Sequence, residues 1–222
     1  MIIQIENIQK SYGRTPILMG VTFTAQAGQC IGILGKNGSG KSTLFSVLNG
    51  LQKGNGRFLC NGEDLLKNSK MRSALVGLVP QSPPLLQELS AKDNLRLWYS
   101  RTALDAAMNG GVLQLLGIPD FYTVPVSKMS GGMKKRLSIG CAVAHDPRIL
   151  FLDEPSAALD LICKQKIADY LRAFKARGGI VLLATHDAYE LELCDALYIL
   201  KDGILQPYGG ERSVDALVGC LE

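Results

Sequence analysis

The amino-acid sequence predicts an α/β fold: a parallel sheet buried on both faces, an antiparallel β layer ahead of it, and a helical lobe inserted into its second half. Three observations carry this expectation. Short apolar runs at residues 29–34, 75–79, 149–152 and 180–185 lack the polar alternation of a half-exposed strand, as strands covered on both sides do. Strand-like segments punctuated by turn residues fill much of the N-terminal part. Residues 82 to about 145 are mainly of helical spacing, which sets a lobe between two portions of α/β body.

Composition bounds what such a chain does. With 222 residues, 47% hydrophobic and 20% charged, it buries a substantial core and carries no repeat or low-complexity tract. The longest apolar runs fall far short of the roughly 20 residues that span a bilayer, and no secretory signal precedes residue 10, so a membrane role is expected only through a partner. Six cysteines at positions 30, 60, 141, 163, 194 and 220 lack metal-type spacing and read as reduced thiols, mostly buried. A net charge of +4, with basic residues only in short clusters such as Lys134-Lys135-Arg136, gives no electrostatic case for nucleic acid.

Residues 2–8 and 21–24 read as strands joined by the turn-rich Ser11-Tyr12-Gly13-Arg14-Thr15-Pro16, and residues 57–60 as another strand ending at Asn61-Gly62. Tyr12 either offers a ring on which a purine base stacks or caps the edge of the β core. Next, Gly35-Lys36-Asn37-Gly38-Ser39-Gly40-Lys41-Ser42 fits G-x-x-x-x-G-K-S/T between a strand and a helix that runs to Leu48 and stops at Asn49-Gly50. Its glycines let backbone N–H groups turn inward, and the helix N-terminus adds partial positive charge, so the loop suits a polyphosphate. Lys41 would reach the β- and γ-phosphates and Ser42 would ligate Mg²⁺.

The run at residues 75–79 ends at Pro80-Gln81, and Ser82-Pro83-Pro84 cannot continue a strand. Gln81 is a functional group at a strand end or an ordinary solvated one. Ser90-Ala91-Lys92-Asp93 starts a helix to about Tyr99, and Leu113, Leu115 and Leu116 before Gly117 suggest another. Ser130-Gly131-Gly132 opens a helix whose Leu137, Cys141 and Ala144 share a face; this is a second anion-binding helix end or simple capping. Residues 149–152, read as a central strand, deliver Asp153 and Glu154 at a strand end, where adjacent carboxylates make sense beside a Mg²⁺-nucleotide. Asp153 would hold the metal and Glu154 would polarise a water. A helix with Ile167, Tyr170, Leu171 and Phe174 on one face stops at Gly178-Gly179, and the following strand ends at His186, placed to hydrogen-bond a γ-phosphate. Asp202-Gly203 marks a last hairpin.

Taken together, Gly35 to Ser42, Gln81, Ser130-Gly131-Gly132, Asp153-Glu154, Asp160 and His186, in that order and spacing, resemble the nucleotide-binding subunit of ATP-binding cassette (ABC) transporters over nearly the whole chain. The resemblance implies a P-loop NTPase (RecA-like) core with an N-terminal antiparallel β layer and an inserted helical subdomain, forming one ABC ATPase domain over residues 1–222. Residues 1–81 and about 146–222 would be the α/β body and about 82–145 the helical subdomain. It implies ATP and Mg²⁺ as cofactors, with Tyr12 and residues Gly35, Lys36, Asn37, Gly38, Ser39, Gly40, Lys41, Ser42 and Thr43 binding ATP. Ser42, Gln81 and Asp153 would bind Mg²⁺, and Glu154, His186 and Gln81 would serve catalysis. Ser130, Gly131 and Gly132 would cap the γ-phosphate of a second cassette, with Asp160 signalling across the pair. The implied partners are a second cassette, identical or not, and an integral membrane permease at the cytoplasmic face; no nucleic acid is expected. A P-loop kinase or GTPase is disfavoured because no Asn-Lys-x-Asp motif is present. Met129 and Met133 stand where the family's L-S-G-G-Q has Leu and Gln, and Met after the glycines looks like cassettes paired with exporter-type permeases.

Overall fold

The computed structural model describes residues 1–156 and 159–221. In chain order these form β1 (Ile2–Tyr12), β2 (Thr15–Gln26), β3 (Cys30–Leu34), α1 (Lys41–Leu48), β4 (Asn55–Cys60), β5 (Glu63–Asp64), α2 (Ser69–Leu75) and β6 (Val76–Val79). The lobe follows as α3 (Ala91–Arg96), α4 (Arg101–Met108), α5 (Val112–Leu115) and α6 (Gly131–Ala142). The chain then returns through β7 (Ile149–Asp153), α7 (Leu161–Ala176), β8 (Ile180–Ala184), α8 (Ala188–Leu191), β9 (Ala196–Lys201), β10 (Ile204–Tyr208) and α9 (Val214–Leu221).

Two sheets result. An antiparallel sheet has the order β2-β1-β4-β5, and a six-stranded sheet has the order β10-β9-β3-β8-β7-β6. In the larger sheet β9, β3, β8, β7 and β6 run parallel, with Ile31 opposite Leu182 and Leu150 opposite Val181; β10 alone returns antiparallel. β7 is therefore interior but lies next to the edge strand β6, a place sequence pattern alone does not fix.

The period of two along each parallel strand sorts its side chains into two cores. Ile31 and Ile33, Phe151, and Ile180 and Leu182 face α1 and the antiparallel sheet. Cys30 and Leu34, Leu150 and Leu152, and Val181 and Leu183 face α7 and the helical lobe. Phe151 stacks on Phe45 of α1 at 5.4 Å between ring centroids and meets Phe58 of β4 at 6.1 Å, so one ring joins the parallel strand, the helix after the glycine-rich loop and the antiparallel layer.

The N-terminal hairpin is longer than the sequence reading. β1 continues through Tyr12 and β2 begins at Thr15, leaving Gly13-Arg14 as the turn, with Gly13 at φ +58°. Polar residues 9–11 hide the strand from a hydrophobicity count, and register shifts near Ile8 let it twist past them. Leu75 ends α2 instead of starting a strand; Asn68 caps that helix by accepting the Met71 N–H at 3.0 Å. In the lobe, α3 stops at Arg96 ahead of Tyr99, and α4 is a separate helix capped by Ser100. β10 is an edge strand carrying Pro207 opposite Tyr198. Among the described residues no helix is long and apolar enough to cross a membrane. The thiols of Cys30, Cys60, Cys141, Cys163 and Cys194 are free and buried, and Cys220 is exposed.

Because Phe151 is wholly buried between two other rings, Phe151→Ala is expected to destabilise the chain by about 3–5 kcal/mol in denaturant titrations; a loss below about 1 kcal/mol would mean that the ring does not hold the layers together.

Candidate phosphate-binding site

All five residues of β3 are buried, and the chain leaves it directly into the glycine-rich loop. Gly40, at φ +107°, is the last residue before α1, and a Cβ there would lie 3.0 Å from Ile17 Cγ2 and 3.1 Å from Leu18 Cδ2. Only glycine meets both constraints. Lys41, 6% exposed, folds its ammonium back to donate to the carbonyls of Gly35 at 2.5 Å and Lys36 at 3.2 Å, and it lies 3.2 Å from His186 Nε2. An ammonium only donates, so Nε2 of His186 accepts there. Burial pulls the Lys41 pKa down, opposed by the nearby Glu154 and Asp153 carboxylates.

Three strand ends supply the facing groups. Asp153 ends β7; burial pushes its pKa up, against a hydrogen bond from the Ser42 side chain. Glu154 follows at φ +47°, a left-handed conformation uncommon outside glycine, with its N–H donating to Ala184 O at 2.8 Å. Gln81, just beyond β6, donates Nε2–H to Glu154 Oε2 at 2.9 Å. His186, just beyond β8, brings Nε2 to 4.0 Å from Glu154 Oε1. Burial and then the Lys41 charge lower its pKa, keeping the imidazole neutral near pH 7.

A 440 Å³ cavity lies over these groups, lined by Asn37, Gly38, Gly40, Lys41, Ser42 and Thr43, by Gln81 and Glu154, and by Tyr12 at the end of β1. Tyr12 is half exposed; its hydroxyl donates to Gln52 Oε1, and Lys10 Nζ stands 5.0 Å from its ring centroid. Ile17 of β2 lines the same cavity, and nothing in the sequence marks it out. Lys36 and Ser39 line a neighbouring 670 Å³ cavity instead, beside Leu200 and Lys201. His186 lines a smaller one of 220 Å³ that Glu154 shares. The arrangement fits a polyphosphate and a hard cation. Ser39 Oγ is buried without a protein partner among the described residues, a hydroxyl left for a ligand, and Ser42 and Asp153 offer the oxygen donors that Mg²⁺ prefers.

Ser130, Gly131, Gly132 and Asp160 do not line that cavity. Ser130 caps α6, its Oγ accepting the Met133 N–H at 3.2 Å, and Asp160 caps α7 by accepting the Cys163 N–H at 2.8 Å. A Cβ on Gly131 or Gly132 would lie 3.8 Å from Leu159 Cδ2, so the two helix starts are neighbours. Two buried groups escape a motif-based reading. Glu190 of α8 is 2% exposed, and burial pushes its pKa up to about 7; the Ser156 and Thr185 hydroxyls pull it down, but neither makes a well-formed hydrogen bond to its oxygens. Lys135 of α6 is 6% exposed. Its place in a basic triplet reads as solvated surface.

A family model described as ABC transporter matches residues 18–157. Over 225 residues the chain is 35% identical to the Nod factor export ATP-binding protein I of Rhizobium meliloti (strain 1021), covering 98% of this chain and 67% of that one. It is 32% identical over 224 residues to the linearmycin resistance ATP-binding protein LnrL of Bacillus subtilis (strain 168), covering 98% and 72%. A solved structure of a nucleotide-free ATP-binding cassette from an ABC transporter superposes with a TM-score of 0.85 at 25% identity, covering 98% of this chain and 95% of that one.

The raised pKa of Glu190 has a signed consequence. The folded chain keeps a proton that the unfolded chain releases above its ordinary value of 4.5, so stability is lost as pH rises from there through about 7. Glu190→Gln, which does not ionise, is expected to gain on the wild type between about pH 5 and about pH 8 in urea midpoints. A gap that stays constant with pH would show that Glu190 ionises normally.

Proposed function

This chain belongs to the ABC transporter family as an ATP-binding, ATP-hydrolysing subunit, and from that premise we propose how its own residues carry the reaction. The observation that carries the proposal is the convergence at the glycine-rich loop of Gln81 bonded to Glu154 and Lys41 bonded to His186, with His186 Nε2 4.0 Å from Glu154 Oε1. The backbone N–H groups of the glycine-rich loop grip the phosphates, and Lys41 leaves its two carbonyls to neutralise them. Tyr12 presents its exposed ring to the base. Ser42 and Asp153, with Gln81, would hold Mg²⁺, which when bound would neutralise charge on the phosphates. Glu154, aimed by its left-handed backbone and by Gln81, orients and polarises the attacking water. His186, kept uncharged, hydrogen-bonds the γ-phosphate.

The separation of Ser130, Gly131 and Gly132 from the cavity supports a head-to-tail pair, in which this helix N-terminus serves the ATP of a second chain. Met133 replaces a polar residue, but the Ser130 hydroxyl and the glycine N–H groups remain as donors. Residues 1–222 then form one cassette, with about 82–145 as the helical subdomain. A 620 Å³ cavity between that lobe and the body, lined by Leu51, Pro84, Leu85 and the exposed Trp98, suits a helix of a membrane permease and would place the cassette on the cytoplasmic face. The likeness to a Nod factor export protein and to a linearmycin resistance protein supports export as the direction of transport.

Glu154→Gln keeps size and hydrogen-bonding shape while removing the carboxylate. Hydrolysis is expected to slow by about 10²- to 10⁴-fold while ATP binding survives, and gel filtration should show a dimer with ATP and a monomer with ADP. Wild-type turnover in this variant would remove Glu154 from the chemistry; a monomer at saturating ATP would count against pairing of identical chains. Leu86 is exposed beside the groove, and a cysteine placed there by Leu86→Cys is expected to crosslink to the copurifying permease. Crosslinks obtained only from the opposite face would place docking elsewhere.

A further inference from the structure

Three basic residues in a row on α6 go different ways. Arg136 turns to the Leu116 carbonyl at 2.8 Å within the lobe, and Lys134 is partly exposed. Lys135 alone leaves the lobe, donating to Pro80 O at 3.1 Å and Gln81 O at 2.9 Å. These carbonyls belong to the segment that has just left β6, and the Gln81 side chain is the one bonded to Glu154. Gln81 is therefore held at both ends: its main chain by the helix that Ser130 opens, and its side chain by the carboxylate beside the phosphate cavity. We propose that Lys135 is a positioning residue that fastens the Gln81 segment to α6 and so couples the helix end at Ser130 to Glu154 of the same chain.

The surroundings support this reading over that of a simple staple. A buried ammonium stays charged only beside compensating groups. Burial lowers the Lys135 pKa, and Asp153, Glu190 and Glu154 oppose that, in that order. Asp153 ends β7 and Glu154 follows it, so the cation lies near two acids of the site as well as against the Gln81 segment. No motif reading assigns the position. The coupling rests on the proposal that the helix end at Ser130 serves a second chain's nucleotide; the tether to Gln81 does not.

The test uses the whole 222-residue chain with Lys135→Met, which keeps length and removes charge and donors, and Lys135→Gln, which keeps a neutral donor. Hydrogen–deuterium exchange without nucleotide should rise in peptides spanning residues 80–89 of Lys135→Met and stay unchanged in β8. ATP affinity should hold within about threefold while turnover falls about 10- to 100-fold, the range expected for a displaced catalytic group, with Lys135→Gln intermediate. The double variant Lys135→Met with Gln81→Ala should hydrolyse no more slowly than Gln81→Ala alone. Unchanged exchange at residues 80–89 would overturn the tether, and losses that multiply in the double variant would overturn action through Gln81. If Lys135→Met does not fold, Lys135→Gln carries the same exchange and double-variant comparisons. Absence of ATP turnover in the wild type would sink the functional reading, while the exchange result still decides the tether.

Discussion

The inner parallel strands β3, β8 and β7 have no solvent face, and the rest of the molecule follows from that constraint. Side chains of β3 and β8, and of β7 as far as Leu152, are apolar or small, and their alternation feeds two separate cores, one under the antiparallel sheet and one under the helical lobe. Polar groups cannot sit within these strands, so they collect where the strands stop. Gln81, Asp153, Glu154 and His186 all stand at or just past the C-terminal end of a strand, beside the loop that follows β3. The Phe45–Phe151–Phe58 cluster fixes the height of that loop, because Phe45 belongs to the helix the loop opens.

Concentrating charges at the mouth of an apolar sheet is electrostatically expensive. Lys41 and Lys135 are both nearly buried, as is Asp153, and the two lysines face overlapping sets of carboxylates. Each desolvated group therefore depends on the others to stay ionised. Lys41 has as hydrogen-bond partners the loop's own Gly35 and Lys36 carbonyls and His186 Nε2. A polyphosphate with its cation offers stronger ones, and exchanging weak internal bonds for charge-assisted ones gives binding a differential free energy to act with.

The parallel sheet was legible because buried strands leave unbroken apolar runs, and the glycine-rich loop because its fixed positions serve backbone geometry. The strand-end positions of Asp153-Glu154 and His186 were legible from their place after such runs. What stayed hidden depends on long-range packing. β1 extends through Gln9, Lys10 and Ser11 because β2 pairs with it, not because those residues favour strand. α2 buries none of its residues and so shows no apolar face, while α4 is only eight residues long and buries just Leu104 and Ala107. Lys135 and Glu190 carry no signal in one dimension, since a basic triplet and an acidic helix turn are ordinary surface until folding buries them. The separation of Ser130 and Asp160 from the phosphate cavity likewise emerges only when α6 and α7 are placed.

Pro207 lies in β10, the strand that ends one side of the large sheet. Proline has no N–H to offer an incoming strand, and it is tolerated there because the position is at an edge. An edge without that donor is a poor template for adding another strand, so the residue guards the sheet against open-ended edge-to-edge polymerisation. The protection is confined to that side of the large sheet, since β6, Val76–Val79, ends the other side without a proline.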